Sequence, residues 1–203
     1  MIGIVNNAFH DWVREQHGPE TWLRIERRIE SGTFIGTEDY DDRTTLELAR
    51  GIARELGLSE DTVLERVGEH FGRRSVGRDF GVLLNAGGAN YRDFLRGLPD
   101  LQTRFALIYP NTAPPRFAVL DEGPSSVTIV HHTARKGLAP LLAGVLAGIA
   151  CVFGMEANVA RSSERSEAGS CHVFRVRWRP VGLEAPTRPP APRGRKDRAF
   201  AAA

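Results

Sequence analysis

Cysteine is scarce in this sequence of 203 residues, which contains only Cys151 and Cys171. The two residues are far apart and outside any CxxC spacing, so the sequence excludes a disulfide-rich scaffold and favours reduced thiols in the core over a structural zinc site. An excess of one charge is lacking as well. Lys and Arg number 27 against 25 Asp and Glu, a net charge of +2, which gives no reason to expect nucleic acid as a partner.

Long hydrophobic runs are also missing. The first residues, "MIGIVNNAF", lead into charged positions without an extended apolar stretch, so we expect no signal peptide and a cytoplasmic protein. The most apolar segment runs from Gly137 to Met155, but it contains four glycines and a proline. We therefore predict a buried helix there rather than a membrane span, and no membrane partner.

Familiar catalytic motifs are absent too. The sequence has neither the spaced histidines and carboxylates of a metallohydrolase nor a Gly-x-Ser-x-Gly elbow. The paired glycines of "LLNAGGANY" follow no predicted strand and precede no Lys-Ser/Thr, so they do not form a phosphate loop. The acidic pairs Asp41-Asp42 and Asp121-Glu122 lie in predicted turns without an apolar setting that would make them acid–base catalysts. We do not expect an enzyme.

The first part of the chain predicts amphipathic helices. Apolar residues recur at helical spacing, with a break at Gly18-Pro19, a capping signal at Asp42 to Thr45 and a stop at Gly57. Shorter helices are predicted through "DFGVLLNAG", "NYRDFLRGL" and "LPDLQTRF". The four main helical segments are "VNNAFHDWVREQHG", "ETWLRIERRIE", "TTLELARGIARELG" and "SEDTVLERVGEHFG".

After Pro110 the pattern becomes that of an α+β unit. Two β-prone runs, "NTAPPRFAVLDEG" and "PSSVTIVHHTAR", flank a turn of several residues, and the apolar helix is followed by "EANVARSSERS" and "SCHVFRVRWRP". We predict a four-stranded antiparallel sheet packed on the long helix. The predicted domain spans residues 1–180, with a helical lobe over about 1–65 and an α+β lobe over about 66–180; residues 181–203 read as a disordered tail rich in Pro, Arg and Ala.

Several segments resemble the H-NOX family, the haem nitric oxide/oxygen binding domains related to the sensor domain of soluble guanylate cyclase. They are "MIGIVNNAFHDWVREQHGPETW", "LPDLQTRFALIYPNTAPPRF", "VHHTARKGLAPLLAGVLAGIA" and "CHVFRVRW", and they occur in the family's order over the chain up to about Trp178. The resemblance implies a helical lobe packed on an α+β lobe with a four-stranded antiparallel sheet. It also implies haem as cofactor, NO or O2 as ligand, and a signal passed to a separate protein such as a kinase or cyclase.

Gln102 is the main departure from the family pattern. It stands where the family has the histidine that binds haem iron from the proximal side. A neutral imidazole is a good donor to ferrous iron, whereas the oxygen of an amide is a weak one. The usual iron bond is therefore lost. His10, in the first helix, is a weak candidate for a substitute metal ligand, because first-helix residues border the distal pocket in this family.

The residues that grip the haem propionates are better retained. The family's Tyr-x-Ser-x-Arg pattern is matched by His131, Thr133 and Arg135. If the strand through "VTIVHH" continues, these three point to one face and can bind an anion. Pro115 matches the proline that presses on the haem, although a rigid entry into a strand would also explain it. The alternative interpretation of Arg135 and Thr133 is that of surface residues at a strand end.

Three functions from different classes stay open at this stage. The first is a stand-alone gas sensor that retains haem through pocket shape, Arg135 and a substitute ligand. The second is a haem-free signalling or protein-interaction module on the same scaffold, which could bind another amphipathic carboxylate. An unidentified enzyme ranks last, because no catalytic constellation is present.

Overall fold

Among the residues that the structure describes, six helices and four strands follow one another in the order that the sequence predicts. The computed structural model describes residues 1–29, 32–78, 88–100, 103, 116–166 and 169–182. Within them, the bounds are α1 Gly3–His17, α2 Pro19–Ile29, α3 Asp42–Leu56, α4 Glu60–Arg78, α5 Tyr91–Arg96, β1 Arg116–Gly123, β2 Ser126–His132, α6 Ala139–Val152, β3 Met155–Ser166 and β4 Gly169–Pro180.

Side-chain caps fix the starts of the central helices. The Asp41 carboxylate accepts a hydrogen bond of 2.8 Å from the backbone N–H of Arg43 at the start of α3. Ser59 Oγ accepts one of 3.1 Å from Thr62 at the start of α4. Each bond satisfies a donor that would have no partner inside the helix. Gly57 ends α3 in the left-handed conformation, with φ of 65°, as predicted for a glycine at this position.

The strands form one antiparallel sheet in the order β1-β2-β4-β3, which confirms the predicted α+β fold. The first hairpin differs from the prediction: β1 continues to Gly123 and β2 begins at Ser126, so the turn is shorter than expected. A register shift between Val119 and Asp121 explains the difference. It lets β1 stay paired through two acidic residues that look like turn residues in the sequence.

Helix α6 lies between two hydrophobic cores. The first core is formed by α1 to α4 and includes Leu138 and Leu141 at the start of α6. The second lies between α5, the sheet and the other side of α6, where Leu146 and Ile149 are buried. A helix buried on all sides needs no polar face, which accounts for the apolar run in the sequence. Within the described residues, no helix is long and apolar enough to cross a membrane.

Glycines allow α4 and α6 to approach with their backbones almost in contact. A Cβ atom on Gly144 would lie 2.0 Å from the carbonyl oxygen of Glu65, and one on Gly148 would lie 2.2 Å from that of Glu69. On the α4 side, a Cβ on Gly68 would meet Leu141 O at 2.1 Å. A Cβ on Gly72 would lie 2.5 Å from Val145 O, and α4 continues past this glycine to Arg78, whereas the predicted segment ended at Gly72.

Some predictions fall outside the described residues. These are the helix in "DFGVLLNAG", most of "LPDLQTRF" and the tail from residue 183 onward. The lobe boundary near residue 65 stays a prediction; α4 crosses it.

We expect Gly144→Ala to destabilise the protein. Alanine favours a helix over glycine by about 1 kcal/mol, but its methyl group has no space here, and overpacking costs about 1–3 kcal/mol. The free energy of unfolding, measured by urea denaturation, should fall despite the better helix propensity. Gly36→Ala is the matched control, because a Cβ there would lie 3.8 Å from its nearest neighbour. Equal denaturation midpoints for both variants would contradict the close contact.

Candidate functional site

His131 points to the inner face of the sheet, the face that packs on α6. It follows Val127 and Ile129 at two-residue intervals on β2, and both of these belong to the core beneath the sheet. On the neighbouring strands it pairs with Phe117 and His172. Its imidazole stacks on the Phe117 ring with 5.0 Å between the centroids. His132 therefore points to the outer face, as the alternation predicts.

Both ring nitrogens of His131 are buried without a hydrogen-bond partner among the residues that the structure describes. The residue is 9% exposed. Burial lowers the pKa of His131 to about 4, and electrostatic interactions with His172, His132 and Arg135 lower it further. At neutral pH the ring is uncharged, with one N–H donor and one acceptor nitrogen. A buried donor without a partner costs about 1–3 kcal/mol, so the site favours a ligand that would accept this hydrogen bond.

Thr133 and Arg135 lie in the loop before α6 rather than on a strand. The prediction that both residues share the face of His131 depends on a continued β2, but β2 ends at His132. In the loop, the hydroxyl of Thr133 accepts a hydrogen bond of 3.0 Å from the backbone N–H of Arg135. Hydrogen bonds between a threonine hydroxyl and a nearby backbone N–H compete with the backbone hydrogen bonds of a strand. Gly137 then turns the chain with φ of 79° and brings the loop against Leu46 of α3.

The Arg135 guanidinium forms an ion pair with Asp42, at the start of α3. Its Nη1 donates to Asp42 Oδ1 at 2.9 Å, and the two side chains are 31% and 27% exposed. Asp42 is the first residue of α3, where a negative charge is favoured by the helix dipole. The α-amino group of Met1 lies 3.4 Å from the same carboxylate and 2.8 Å from Asp39. Arg135 thus connects the loop after β2 to the start of α3.

His131 and Arg135 are the candidate groups for an anion site. His131 offers a neutral donor inside the core, and Arg135 offers a planar charged fork suited to a carboxylate. The positive charge of Arg135 is close enough to affect the pKa of His131. Asp42 already occupies one side of the fork, so an incoming carboxylate would share Arg135 with Asp42 or displace it.

The other predicted site residues are less informative. Gln102 and Pro115 lie outside the described residues, and their roles stay predictions. His10 is 34% exposed, with Nδ1 at 2.9 Å from Asp11 and its ring edge against Trp22. Its role as a substitute metal ligand also stays a prediction. Over the described part of the chain, no group of three or more His, Cys, Asp or Glu side chains is arranged to bind a metal ion.

Sequence reasoning missed three neighbours of this site. Asp42 was predicted to lie in a turn and a helix cap but not beside Arg135, because the two residues are 93 positions apart. His172 belongs to the predicted strand "SCHVFRVRWRP", but its pairing with His131 was not predicted. Ser163 of β3 lies opposite His172, and its Oγ is 3.0 Å from His172 Nδ1. Two-residue alternation on each strand could have indicated the face of His172, but not the register that pairs it with His131.

Comparisons with known proteins agree with this architecture. A family model described as Haem-NO-binding matches residues 2–161. The soluble guanylate cyclases gcy-33 and gcy-37 of Caenorhabditis elegans are 23% and 26% identical over 75% and 83% of this chain. The chain covers only 16% and 25% of their lengths.

A solved structure has the same fold. The Fe(II) unliganded H-NOX protein of K. algicida superposes with a TM-score of 0.72 at 18% identity, and the match covers 91% of this chain and all of that one. At this level of identity the likeness shows the fold alone.

We expect His131 to make the stability depend on pH between about 6.5 and 4. Its pKa is about 4 in the folded protein and about 6.5 in an unfolded chain. Below pH 6.5 the unfolded state therefore binds the proton first and stability falls as the pH drops, by about 2 kcal/mol at pH 5. The free energy of unfolding, measured by urea denaturation, should fall between pH 7 and pH 5 in the wild type. In His131→Phe this fall should be smaller by about 2 kcal/mol.

His132→Phe is the matched control, since His132 is exposed on the opposite face. It should keep the pH dependence of the wild type. An equal pH dependence for the wild type and His131→Phe would contradict the neutral buried state of His131.

Proposed function

The chain belongs to the Haem-NO-binding family, and from this premise we propose that it is a sensory module that binds haem and a diatomic gas and signals to a separate protein. In this proposal His131, Thr133 and Arg135 bind the carboxylates of haem. The buried imidazole of His131, without a hydrogen-bond partner among the described residues, is the observation that carries the proposal. A carboxylate oxygen would accept its N–H and remove the cost of the buried donor.

The described residues fit the carboxylate end of such a ligand. Phe117 and Phe174 flank His131 with apolar rings, at centroid distances of 5.0 and 6.5 Å, while Arg135 supplies a positive charge at the rim. This combination of an apolar wall and an anion-binding edge suits an amphipathic carboxylate. Haem, when bound, supplies an iron centre that can take NO or O2.

The residue that matches the family's iron ligand in sequence also differs from the family pattern. Gln102 offers an amide oxygen, a weak donor to ferrous iron. We therefore infer that the carboxylate contacts contribute more to haem binding in this chain than a protein–iron bond does. A signal that depends on breaking a proximal histidine bond is not available through Gln102. Competition between ligand and Asp42 for Arg135 offers a different trigger, because that ion pair joins the loop before α6 to α3.

A haem-free interaction module is the second candidate, and the Arg135–Asp42 ion pair favours it. Arg135 already has a carboxylate partner within the chain, so its charge is balanced without a ligand. In that case the ion pair connects the loop before α6 to α3. The partner would be a signalling protein such as a kinase or cyclase, and another amphipathic carboxylate could occupy the pocket.

We expect Arg135→Gln to weaken the binding of haemin at least about tenfold, because a charge-assisted hydrogen bond contributes about 1.5–3 kcal/mol. A titration followed at the Soret band gives the dissociation constant. Arg43→Gln is the matched control, since Arg43 also pairs with a carboxylate, that of Glu47 at 2.9 Å, on an exposed helix. Unchanged affinity in Arg135→Gln would remove Arg135 from the site.

We expect Gln102→His to strengthen the spectrum of the ferrous haem complex, because imidazole is the better donor to iron. Spectra of the reduced, haemin-reconstituted wild type and variant make the comparison. If haemin changes neither the spectrum nor the melting temperature of either protein, the haem-binding proposal fails and the haem-free module remains.

A further inference from the structure

The free edge of β3 is long and regular. β3 pairs with β4 on one side from Met155↔Pro180 to Ser166↔Gly169, without a register shift. Along its other side, no strand pairs with it in the described part of the chain. The segment contains no proline, so every residue keeps its N–H donor. Unpaired N–H and C=O groups along such an edge are a template for another strand.

The opposite edge of the sheet is less suited to this purpose. β1 is shorter than β3, and its register shift between Val119 and Asp121 interrupts the regular spacing. Such irregularities protect an edge from further pairing. The pairing of β3 with β4 contains no such shift. The one cation on it with described contacts, Arg161, turns inward to Asp61 and Glu65 of α4 at 2.7 and 3.2 Å.

A row of arginines runs beside this edge on the outer face of the sheet. Arg175, Arg177 and Arg179 alternate along β4 and are exposed, so they repeat at about 6.8 Å. Arg179 is paired with Glu156 at 2.7 Å. Within the described residues, Arg175 and Arg177 form no ion pair. Their cross-strand neighbours on β3 are the short, uncharged Ala160 and Asn158.

We propose that the free edge of β3 and this arginine row form a docking site for an extended acidic segment of a partner protein. A strand added to β3 would lie about 10 Å from β4, two interstrand spacings away. A long arginine side chain and a glutamate side chain together span that distance above Ala160 and Asn158. Backbone hydrogen bonds would supply affinity, and carboxylates at alternate positions would match Arg175 and Arg177.

Other occupants fit less well. A second copy of this chain would bring an identical arginine row to the same face, and Glu156, the acidic residue of β3 with described contacts, is already paired with Arg179. A nucleic acid or an anionic membrane would use the arginines but not the backbone groups of β3, and the net charge of +2 gives little general attraction for either. The surface is on the opposite face from His131, so the inference does not depend on haem binding.

The test uses the full chain without haemin and a fluorescent, capped ten-residue peptide in which Glu alternates with Val. We expect saturable binding by fluorescence polarisation that weakens with salt. Arg175→Gln/Arg177→Gln should reduce the affinity at least tenfold. Arg54→Gln/Arg66→Gln, which removes two exposed charges from α3 and α4, should leave it unchanged. A peptide N-methylated at alternate residues should lose binding, because it cannot donate to the edge of β3.

Several results would overturn the proposal. These are absence of binding, equal binding of a Lys–Val peptide, or equal affinity for the two double variants. Binding of single-stranded DNA or phosphatidylserine vesicles that needs Arg175 and Arg177, without binding of the Glu–Val peptide, would assign the arginines to another partner. A dimer of the chain alone by light scattering, blocked by the peptide, would assign the edge to a second copy.

Discussion

The near contact of the α4 and α6 backbones is the constraint on which the rest of the structure depends. Gly144 and Gly148 bring α6 so close to α4 that a Cβ at either position would lie about 2 Å from a carbonyl oxygen of α4. α6 can therefore contribute Leu138 and Leu141 to the core of the helices while Leu146 and Ile149 pack under the sheet. A larger residue at Gly144 would separate the helices, and both cores would lose their shared wall.

This placement of α6 also determines the position of the proposed anion site. The loop from Thr133 to Leu138 is short, so its course is set by the end of β2 and by the start of α6 at the α4 contact. The Arg135 guanidinium consequently reaches Asp42 on α3, whereas His131 remains under the sheet. His131 and Arg135 thus come from one segment of the chain, while the counter-charge of Arg135 is Asp42 of α3. A ligand that altered the Arg135–Asp42 pair would act on the connection between the cores.

Much of this could be predicted from local patterns in the sequence. The helices, the strands and the opposite directions of His131 and His132 follow from periodicity, because the side-chain spacing of a strand is a local property. The predicted continuation of β2 through Thr133 and Arg135 was wrong. β2 ends at His132, since a hydrogen bond from Arg135 N–H to Thr133 replaces the expected pairing. The Asp42 partner could not be predicted, because no local rule links residues 93 positions apart.

The glycines of the apolar segment are a second case in which local patterns do not predict a long-range contact. In the sequence they argue against a membrane span, which is a statement about composition. Their structural role depends on Gly68 and Gly72 of α4, and the sequence does not show that the two pairs meet. The sheet beyond α6 then separates two surfaces, because alternation on β4 turns His172 inward and the arginines outward. The two proposed sites can be filled together, and coupling between them would have to pass through the strands that they share.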